Sequence, residues 1–444
     1  MTSNLEAPNA VSQAYAHVLD IELSAPVAGL QRTTPKGRQA DRAWALVRLF
    51  GESLGLDVLD IPPGGLSPEA VEALVLDRRL THLAQLLEID AGKADRDTVR
   101  DAARTTCGTV FSRAHAEFVA RAPRCSVVVC TRERPDYLRR CLDSLTIQDH
   151  PDFGVWVIDN APLSGKTREV VESFGADLDI HYAVELRPGT SRARNVGLRM
   201  GDIVASLDDD EVADSLWLTE LARAFDGRPE IVAASGAVVP AELSTLAQLL
   251  FEQFGAFSKG RGFTAQEFSP RTWNKQHPLY PLPPFGVGAN MAFRTEALRR
   301  LGVGFDEALG GGTPAQGSED TKIFTDLLRA GGTVAYRPTA VTRHFHRRDL
   351  EGLRRQMRGY GSGLTAFYTA SVLARPSTMV DLIRLAPRAL RDLYSSDSLR
   401  VATLEDDFPR DLLAENRRGL IAGPWLYLRG RVQNRRGDRH NWRL

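Results

Sequence analysis

The sequence is poor in cysteine, has no net charge and contains no long apolar run. Its four cysteines, Cys107, Cys125, Cys130 and Cys141, form no C-x-x-C pair and lack zinc-ligand spacing, which is typical of a reduced cytosolic protein. No stretch approaches ~18 consecutive apolar residues, so we expect no transmembrane helix. A polar stretch follows Met1, so we expect no signal peptide. These absences predict a cytoplasmic protein, at most peripheral at the inner face of a membrane.

The charge is balanced over the whole chain but not along it. Lysine and arginine together number 56, as do aspartate and glutamate, so we expect no nucleic-acid partner. Residues 417–444, here called the basic tail, carry eight arginines and one acidic residue, Asp438. Two interpretations stand. The tail is a solvated end of the chain, or it contacts anionic lipid head groups or a phosphate-bearing acceptor.

The order of predicted elements divides the chain into three regions. A length of 444 residues suits two or three domains. Residues 1–122 are predicted to form an accessory α+β module, residues 123–346 an α/β domain, and residues 347–444 a helical extension that ends in the basic tail. In the extension, an amphipathic helix is expected over 378–393, kinked or split at Pro387. This helix either packs on the α/β domain or lies on a membrane surface.

The accessory module shows strand and helix patterns but no cluster of chemically active side chains. Strands are predicted over 15–23, 44–50 and 56–61, the last two as a hairpin. Ser67, which precedes a proline, is a typical helix N-cap, and a second, more polar helix is predicted over 95–120.

The central region alternates apolar strands with amphipathic helices. This βαβ alternation predicts a mostly parallel, doubly wound sheet, whose ligands bind at the carboxyl ends of the strands. Thr131, Asp159 and the run Asp208–Asp210 all fall at such ends. The predicted strands cover 125–130, 155–158, 180–184 and 203–207, and the predicted helices cover 135–145, 166–174, 190–200 and 214–225.

Three consecutive aspartates are the most informative feature of this region. Asp208, Asp209 and Asp210 repel one another, so we expect a cation beside them. Carboxylate oxygens favour a hard divalent metal ion, and a metal ion in such a site commonly binds a diphosphate. In an extended chain, alternate side chains share a side, which would place Asp208 with Asp210 and turn Asp209 away.

The order of several short motifs resembles that of family 2 glycosyltransferases of the GT-A fold. The resemblance covers roughly residues 124–346, and each motif alone is weak. The motifs are the strand Ser126-Val-Val-Val-Cys-Thr-Arg132, Val157-Ile-Asp-Asn160, the A-R-N segment within 187–197, the D-x-D-like Leu207-Asp-Asp-Asp210, the donor-side strand 286–294, and the E-D pair in Gly317-Ser-Glu-Asp320.

The resemblance implies a GT-A type, Rossmann-like mixed sheet and an inverting, metal-dependent transfer. The donor would be a nucleotide-diphosphate sugar. The acceptor would be a hydroxyl on a cell-envelope glycan, a lipid carrier or a secondary metabolite. The helix after the sheet lacks the tryptophan of the Q-x-x-R-W motif of processive members, since it reads Arg354-Arg-Gln356-Met-Arg358. This absence argues for transfer of one or a few sugars.

The resemblance also assigns roles on the acceptor side and at the metal. Asp320, with Glu319 beside it, would be the general base that deprotonates the acceptor hydroxyl. Asp208 and Asp210 would hold Mn²⁺ or Mg²⁺. A histidine after the E-D motif would complete the metal shell, and its imidazole would favour Mn²⁺. His344 is preferred over His346 because it lies closer to the end of the strand predicted over 333–341.

On the donor side, Thr131 and Asp159 would contact the nucleotide base. Arg194 and Asn195 lie on a helix whose start would face the nucleotide, so Arg194 would pair with phosphate. Asp208 would also face the ribose, and Gly288 would let the backbone approach the donor sugar.

Two other functions are weighed against transfer. A nucleotidyltransferase that makes sugar nucleotides usually has a glycine-rich loop after its first strand, and Thr131-Arg-Glu-Arg134 has no glycine. A non-catalytic domain that only binds nucleotide sugars or carbohydrate would be expected to have lost part of the set Asp208, Asp210, Asp320 and His344.

Overall fold

The computed structural model of the chain describes residues 15–34, 37–257, 261–273, 279, 285–394, 404 and 408–441. For residues 388–390, 392–394 and 436–441 it describes the backbone only. Residues 442–444 of the basic tail lie outside the described residues.

The described residues form strands and helices in the following order. The strands are β1 Ala16–Glu22, β2 Arg42–Leu49, β3 Glu52–Asp60, β4 Cys125–Thr131, β5 Phe153–Asn160, β6 Ile180–Glu185, β7 Ile203–Asp208, β8 Glu211–Ala213, β9 Ile231–Pro240, β10 Gln266–Phe268, β11 Asn290–Arg294 and β12 Thr333–His344. The helices are α1 Pro68–Leu86, α2 Arg96–Thr105, α3 Val110–Val119, α4 Pro135–Leu145, α5 Lys166–Glu172, α6 Thr190–Gly197, α7 Trp217–Arg223, α8 Leu246–Gln253, α9 Pro270–Trp273, α10 Thr295–Leu301, α11 Glu319–Arg329, α12 Leu350–Ala374, α13 Thr378–Tyr394 and α14 Arg410–Asn441.

The chain divides into two compact units. The first comprises Met1–Ala116, Pro240–Glu252 and His346–Leu350, and the second comprises Glu117–Val239, Gln253–Phe345 and Glu351–Leu444. The three predicted domains, 1–122, 123–346 and 347–444, stay a prediction.

The first unit contains a three-stranded sheet in the order β1-β2-β3, covered by α1 and α2. β2 and β3 pair antiparallel, as the predicted hairpin requires, but the turn is only Phe50 and Gly51, both with positive φ. Ser67 caps α1 by accepting the N–H of Ala70 at 3.2 Å. The single polar helix predicted over 95–120 is wrong, because the chain breaks between α2 and α3 where Gly108 has φ +136°.

The second unit is built on a mixed sheet in the order β10-β12-β9-β11-β7-β4-β5-β6, with β8 paired to β12. The run β7-β4-β5-β6 is parallel and β11 is antiparallel to β7. This confirms the predicted doubly wound α/β class. The register aligns Cys130 with Asp208 and Thr131 with Asp159, so the carboxyl ends of three neighbouring strands meet at one edge. The helix predicted over 214–225 is shorter, because α7 begins at Trp217.

The extension is helical, as predicted. α13 continues through Pro387, so the helix is not split there, and a kink at Pro387 stays a prediction. α12 and α14 cross closely, since a Cβ built on Gly419 of α14 would overlap the Arg358 carbonyl of α12. Pro424 has no N–H for the carbonyl of Leu420, and Thr365 Oγ1 of α12 donates to that carbonyl instead, at 2.8 Å. Among the described helices, none combines the length and apolar character that crossing a membrane requires.

Replacing Gly419 with alanine is expected to destabilise the protein by about 1–3 kcal/mol, because the added Cβ overpacks the helix crossing. In an uncrowded helix the same change would stabilise by up to ~1 kcal/mol. Urea unfolding measures the difference. Gly64→Ala is the matched control, since nothing lies within 4 Å of a Cβ there. A Gly419→Ala variant as stable as this control would contradict the close crossing.

Candidate active site

The three aspartates do not lie in one continuous strand. β7 ends at Asp208, and Asp209 and Asp210 form a turn that leads into β8. Asp208 pairs with Arg194, whereas Asp209 and Asp210 share Arg134. The expectation that Asp208 and Asp210 lie together with Asp209 turned away is therefore wrong, because the turn redirects successive side chains.

Asp209 is buried, as Asp210 is, and it lies against the end of β4. Thr131 Oγ1 donates to its Oδ2 at 2.7 Å, and Arg134 Nη1 donates to its Oδ1 at 2.8 Å. Burial and the neighbouring Asp210 carboxylate raise the pKa of Asp209 to about 6, and Arg134 and Thr131 oppose this rise. Thr131 was predicted to contact the nucleotide base, but its hydroxyl donates to Asp209 instead. It supports the aspartate turn from the adjacent strand.

Asp210 lies beside His344 at the end of β12. Asp210 Oδ1 is 3.4 Å from His344 Nε2, and the Asp210 carbonyl accepts the N–H of Phe345 at 2.9 Å. His346 Nε2 lies 2.7 Å from Glu252 Oε1 instead. The two histidines do not share a face, because β12 ends at His344. Of the two, only His344 is placed to join Asp210 at a metal.

The Asp210–His344 pair fits two ligands of one divalent cation. Ligands ~2.1 Å from a metal and at right angles to each other lie about 3 Å apart, near the 3.4 Å seen between Oδ1 and Nε2. A carboxylate and an imidazole also suit Mn²⁺. Within the described residues, no group of three or more His, Cys, Asp and Glu side chains is arranged to hold a metal. The remaining ligands would have to come from the donor diphosphate and water.

Arg194 is the buried centre of a second cluster. Its guanidinium is 2.6 Å from Asp208 Oδ1 and 2.7 Å from Glu319 Oε1, and it donates to the Gly288 carbonyl at 3.0 Å. Burial raises the pKa of Glu319, and Arg194 opposes this rise. Arg194 therefore ties the first aspartate of the run to the E-D pair at the start of α11.

Asp320 is held by backbone groups rather than by a cation. Gly288 N–H donates to its Oδ2 at 2.8 Å and Thr321 N–H donates to its Oδ1 at 2.6 Å. A Cβ built on Gly288 would lie 3.0 Å from Asp320 Cβ and 3.1 Å from Arg194 Nη1. Any side chain at position 288 would therefore crowd both Asp320 and Arg194.

Asp159 lies near the end of β5, beside Tyr182 of β6. The Tyr182 hydroxyl donates to Asp159 Oδ2 at 2.8 Å. Its Oδ1 is buried and has no hydrogen-bond partner among the described residues. Burial raises the pKa of Asp159, and hydrogen bonds of its carboxyl with Tyr182 and Thr167 oppose this rise. An unpaired buried acceptor at this edge is suited to an N–H of a ligand.

Asn195 does not face the cluster around Arg194. Its Nδ2 donates to the Phe305 carbonyl at 3.0 Å, and its Oδ1 accepts the Phe305 N–H at 2.9 Å. Both ends of the amide are thus used on one backbone segment. The predicted nucleotide contact of Asn195 is wrong, because the next residue on a helix points about 100° away from its neighbour.

Arg134 and Tyr182 were missed by the sequence analysis. Arg134 follows β4 and directly precedes α4, so its position beside a strand end was a usable signal. Tyr182 lies on β6, next to Asp159, and only the strand register brings the two together.

Part of the chain matches a known enzyme family. Residues 126–302 match the profile described as Glycosyl transferase family 2. The glucosyl-dolichyl phosphate glucuronosyltransferase of Haloferax volcanii is 26% identical over 233 residues, which are 49% of this chain and 68% of that protein. The succinoglycan biosynthesis protein ExoM of Rhizobium meliloti is 30% identical over 226 residues, 48% of this chain and 63% of ExoM.

Solved structures of glycosyltransferases are similar at lower identity. The mannosyltransferase PcManGT from Pyrobaculum calidifontis, solved with GDP-Man and Mn²⁺, has a TM-score of 0.45 and 18% identity, covering 69% of this chain and 88% of that one. Residues 1–349 of S. aureus TarS, solved with UDP, have a TM-score of 0.38 and 17% identity, covering 69% and 92%.

Replacing Arg194 with methionine is expected to lower the free energy of unfolding by about 3–5 kcal/mol, because it leaves the Glu319 carboxylate, which is only 13% exposed, without its cation. The double variant Arg194→Met/Glu319→Gln should recover part of this loss. Urea unfolding measures both. Arg199→Met, on an exposed residue just after α6, is the control. Equal stability of the Arg194 and Arg199 variants would contradict the role of the cluster.

Proposed function

The chain belongs to glycosyl transferase family 2 through residues 126–302, and on that premise we propose that it transfers a sugar, with inversion and with a divalent metal, from a nucleotide-diphosphate donor to an acceptor hydroxyl. The mixed sheet and the family match confirm the predicted GT-A type fold. One observation carries the proposal. Arg194 binds Asp208, Glu319 and the Gly288 carbonyl, while the Gly288 N–H holds Asp320. The first aspartate of the run and the proposed base thus share one rigid frame.

Asp320 is the proposed general base. The acceptor oxygen attacks the anomeric carbon, and the bond from that carbon to the diphosphate oxygen breaks with the electron pair leaving on the diphosphate. Asp320 takes the proton of the acceptor hydroxyl during the attack. Its two oxygens each accept one backbone N–H and keep further lone pairs for that proton. A single displacement of this kind inverts the anomeric configuration.

Asp210 and His344 are the proposed protein ligands of Mn²⁺ or Mg²⁺. When bound, the metal neutralises the charge that develops on the leaving diphosphate. Asp208, which is paired with Arg194, is proposed to face the ribose rather than to complete the metal shell. Asp209 holds the turn in place through Thr131 and Arg134.

Asp159 is the proposed reader of the nucleotide base. Its buried Oδ1 has no partner in the described part of the chain, so it can accept a ring N–H such as that of uracil or thymine. Tyr182 orients the carboxylate by donating to the other oxygen.

The names of the relatives indicate two acceptor classes. The Haloferax protein is named for a glucosyl-dolichyl phosphate and the Rhizobium protein for the biosynthesis of succinoglycan. We propose a glycan or lipid-linked acceptor, reached from the cytoplasmic side with peripheral membrane contact through the basic tail. The eight arginines of the tail support the second of the two interpretations given for it.

Asp320→Asn is expected to lower turnover by about 10²–10⁴-fold, because the amide cannot take the acceptor proton. Donor binding should be largely retained, since the amide oxygen can still accept the Gly288 N–H, although the Thr321 N–H loses its acceptor. Turnover of UDP-, dTDP- and GDP-sugars and calorimetric binding of the matching nucleotides measure the two effects. Asp326→Asn, on the same helix, is the matched control. Full turnover in Asp320→Asn would place the base elsewhere.

Activity is expected to disappear in EDTA and to return with Mn²⁺ or Mg²⁺. His344→Gln should raise the Mn²⁺ concentration needed for half-maximal activity by at least ~10-fold. His346→Gln is the control and should leave this concentration unchanged, because its imidazole binds Glu252. A thermal-shift titration with Mn²⁺ and nucleotide gives a second measure of binding. Undiminished activity in EDTA would remove the metal from the proposal.

A further inference from the structure

α14 carries a continuous stripe of exposed apolar side chains. Ile421, Trp425, Leu428 and Val432 are 84%, 62%, 47% and 49% exposed. Their spacing of four, three and four residues places them along one side of the helix. We call these four residues the α14 stripe. Large apolar side chains aligned in this way on a surface indicate a partner or a membrane.

The opposite side of α14 is fixed against α12. Gly419 and Gly423 face that helix so closely that a Cβ on either would overlap its backbone. Asn416 donates to the Met357 carbonyl at 2.9 Å, and the Tyr427 hydroxyl donates to Asp306 at 2.8 Å. The helix therefore cannot rotate to bury the stripe without losing these contacts.

Arginines border the stripe on both sides. From Arg417 to Gly437 the sequence contains no aspartate or glutamate. Arg417, Arg418 and Arg435 are exposed, and the Arg429 guanidinium lies 5.5 Å from the centre of the Trp425 ring. Arg418 also pairs with Glu415. An apolar stripe with arginines on both sides matches an anionic bilayer, because the apolar side chains can enter it while the arginines bind lipid phosphates.

We propose that α14 lies flat on an anionic phospholipid bilayer, with the α14 stripe inserted among the head groups and the bordering arginines bound to lipid phosphates. The proposal rests on the peripheral membrane contact of the proposed function and assigns it to specific side chains. Trp425 lies within the stripe, and tryptophan is enriched at membrane interfaces. A second copy of the chain fits this surface poorly, because a symmetric contact would bring the arginines of both copies together.

Vesicle flotation tests the proposal with the full chain. Binding to phosphatidylglycerol-containing vesicles is expected, with little binding to phosphatidylcholine alone. Ile421→Ser/Trp425→Ser/Leu428→Ser should weaken binding by at least ~10-fold through lost apolar insertion. Arg417→Gln/Arg435→Gln should weaken it by about five-fold for each charge removed. Ile147→Ser is the matched control, since Ile147 is 63% exposed on a different surface segment.

Quenching by brominated lipids reports insertion directly. Trp425→Phe should bind vesicles like the wild-type protein but lose most of the tryptophan quenching. Unchanged binding in the triple variant, or unchanged quenching in Trp425→Phe, would overturn the proposal. A dimer that the triple variant abolishes, with no vesicle binding in the wild type, would assign the stripe to a second copy and overturn it too.

The membrane proposal and the proposed function fail separately. Turnover of a nucleotide sugar in solution, without vesicles, should be the same in the wild-type protein and in all stripe variants. Vesicle binding without any turnover would contradict the transferase proposal alone. Turnover without vesicle binding would contradict the membrane proposal alone.

Discussion

The candidate site depends on one buried guanidinium. Arg194 is 3% exposed and is surrounded by Asp208, Glu319 and the Gly288 carbonyl. Without this cation, the carboxylates of Asp208 and Glu319 would repel each other beside a poorly solvated interior, because the Glu319 side chain is only 13% exposed. With it, the end of β7, the loop before β11 and the start of α11 are joined at one point. Arg194 also positions Asp320 indirectly, since it binds the carbonyl of Gly288, whose N–H donates to Asp320.

The rest of the site repeats this arrangement of acids around a single arginine. Arg134 forms ion pairs with both Asp209 and Asp210, just as Arg194 does with Asp208 and Glu319. Burial raises the pKa of Asp209 to about 6 and raises that of Glu211 well above its usual range, so this edge of the sheet is poorly solvated. In such surroundings, an added positive charge is strongly favoured. The acid-rich edge is thus better suited to receive a cation together with a diphosphate than a diphosphate alone.

The sheet was predictable from the sequence, and so was the position of several candidate residues at the ends of its strands, whereas their contacts were not. Apolar runs such as Val127–Val129 are buried strands, and residues at their ends meet because parallel strands align. The prediction that the side chains of Asp208 and Asp210 point the same way was wrong, because side chains alternate only while the strand continues. The roles of Thr131 and Asn195 depended on partners distant in sequence, Asp209 and Phe305. The arginines of the basic tail can be read directly from the sequence. The α14 stripe depends on tertiary packing, because the helix face that carries Gly419 and Gly423 is packed on α12 and leaves the opposite face exposed.

Pro424 shows how α14 depends on its neighbour. A proline within a helix leaves one carbonyl without its usual donor, here that of Leu420, and Thr365 of α12 supplies the missing hydrogen bond at 2.8 Å. The hydrogen-bond ladder of α14 is therefore completed by a side chain from a different helix. Its continuity belongs to the helix pair rather than to its own sequence. A peptide of residues 410–441 alone would lack that donor at Leu420, so its conformation would be a poor guide to that of the helix in the protein.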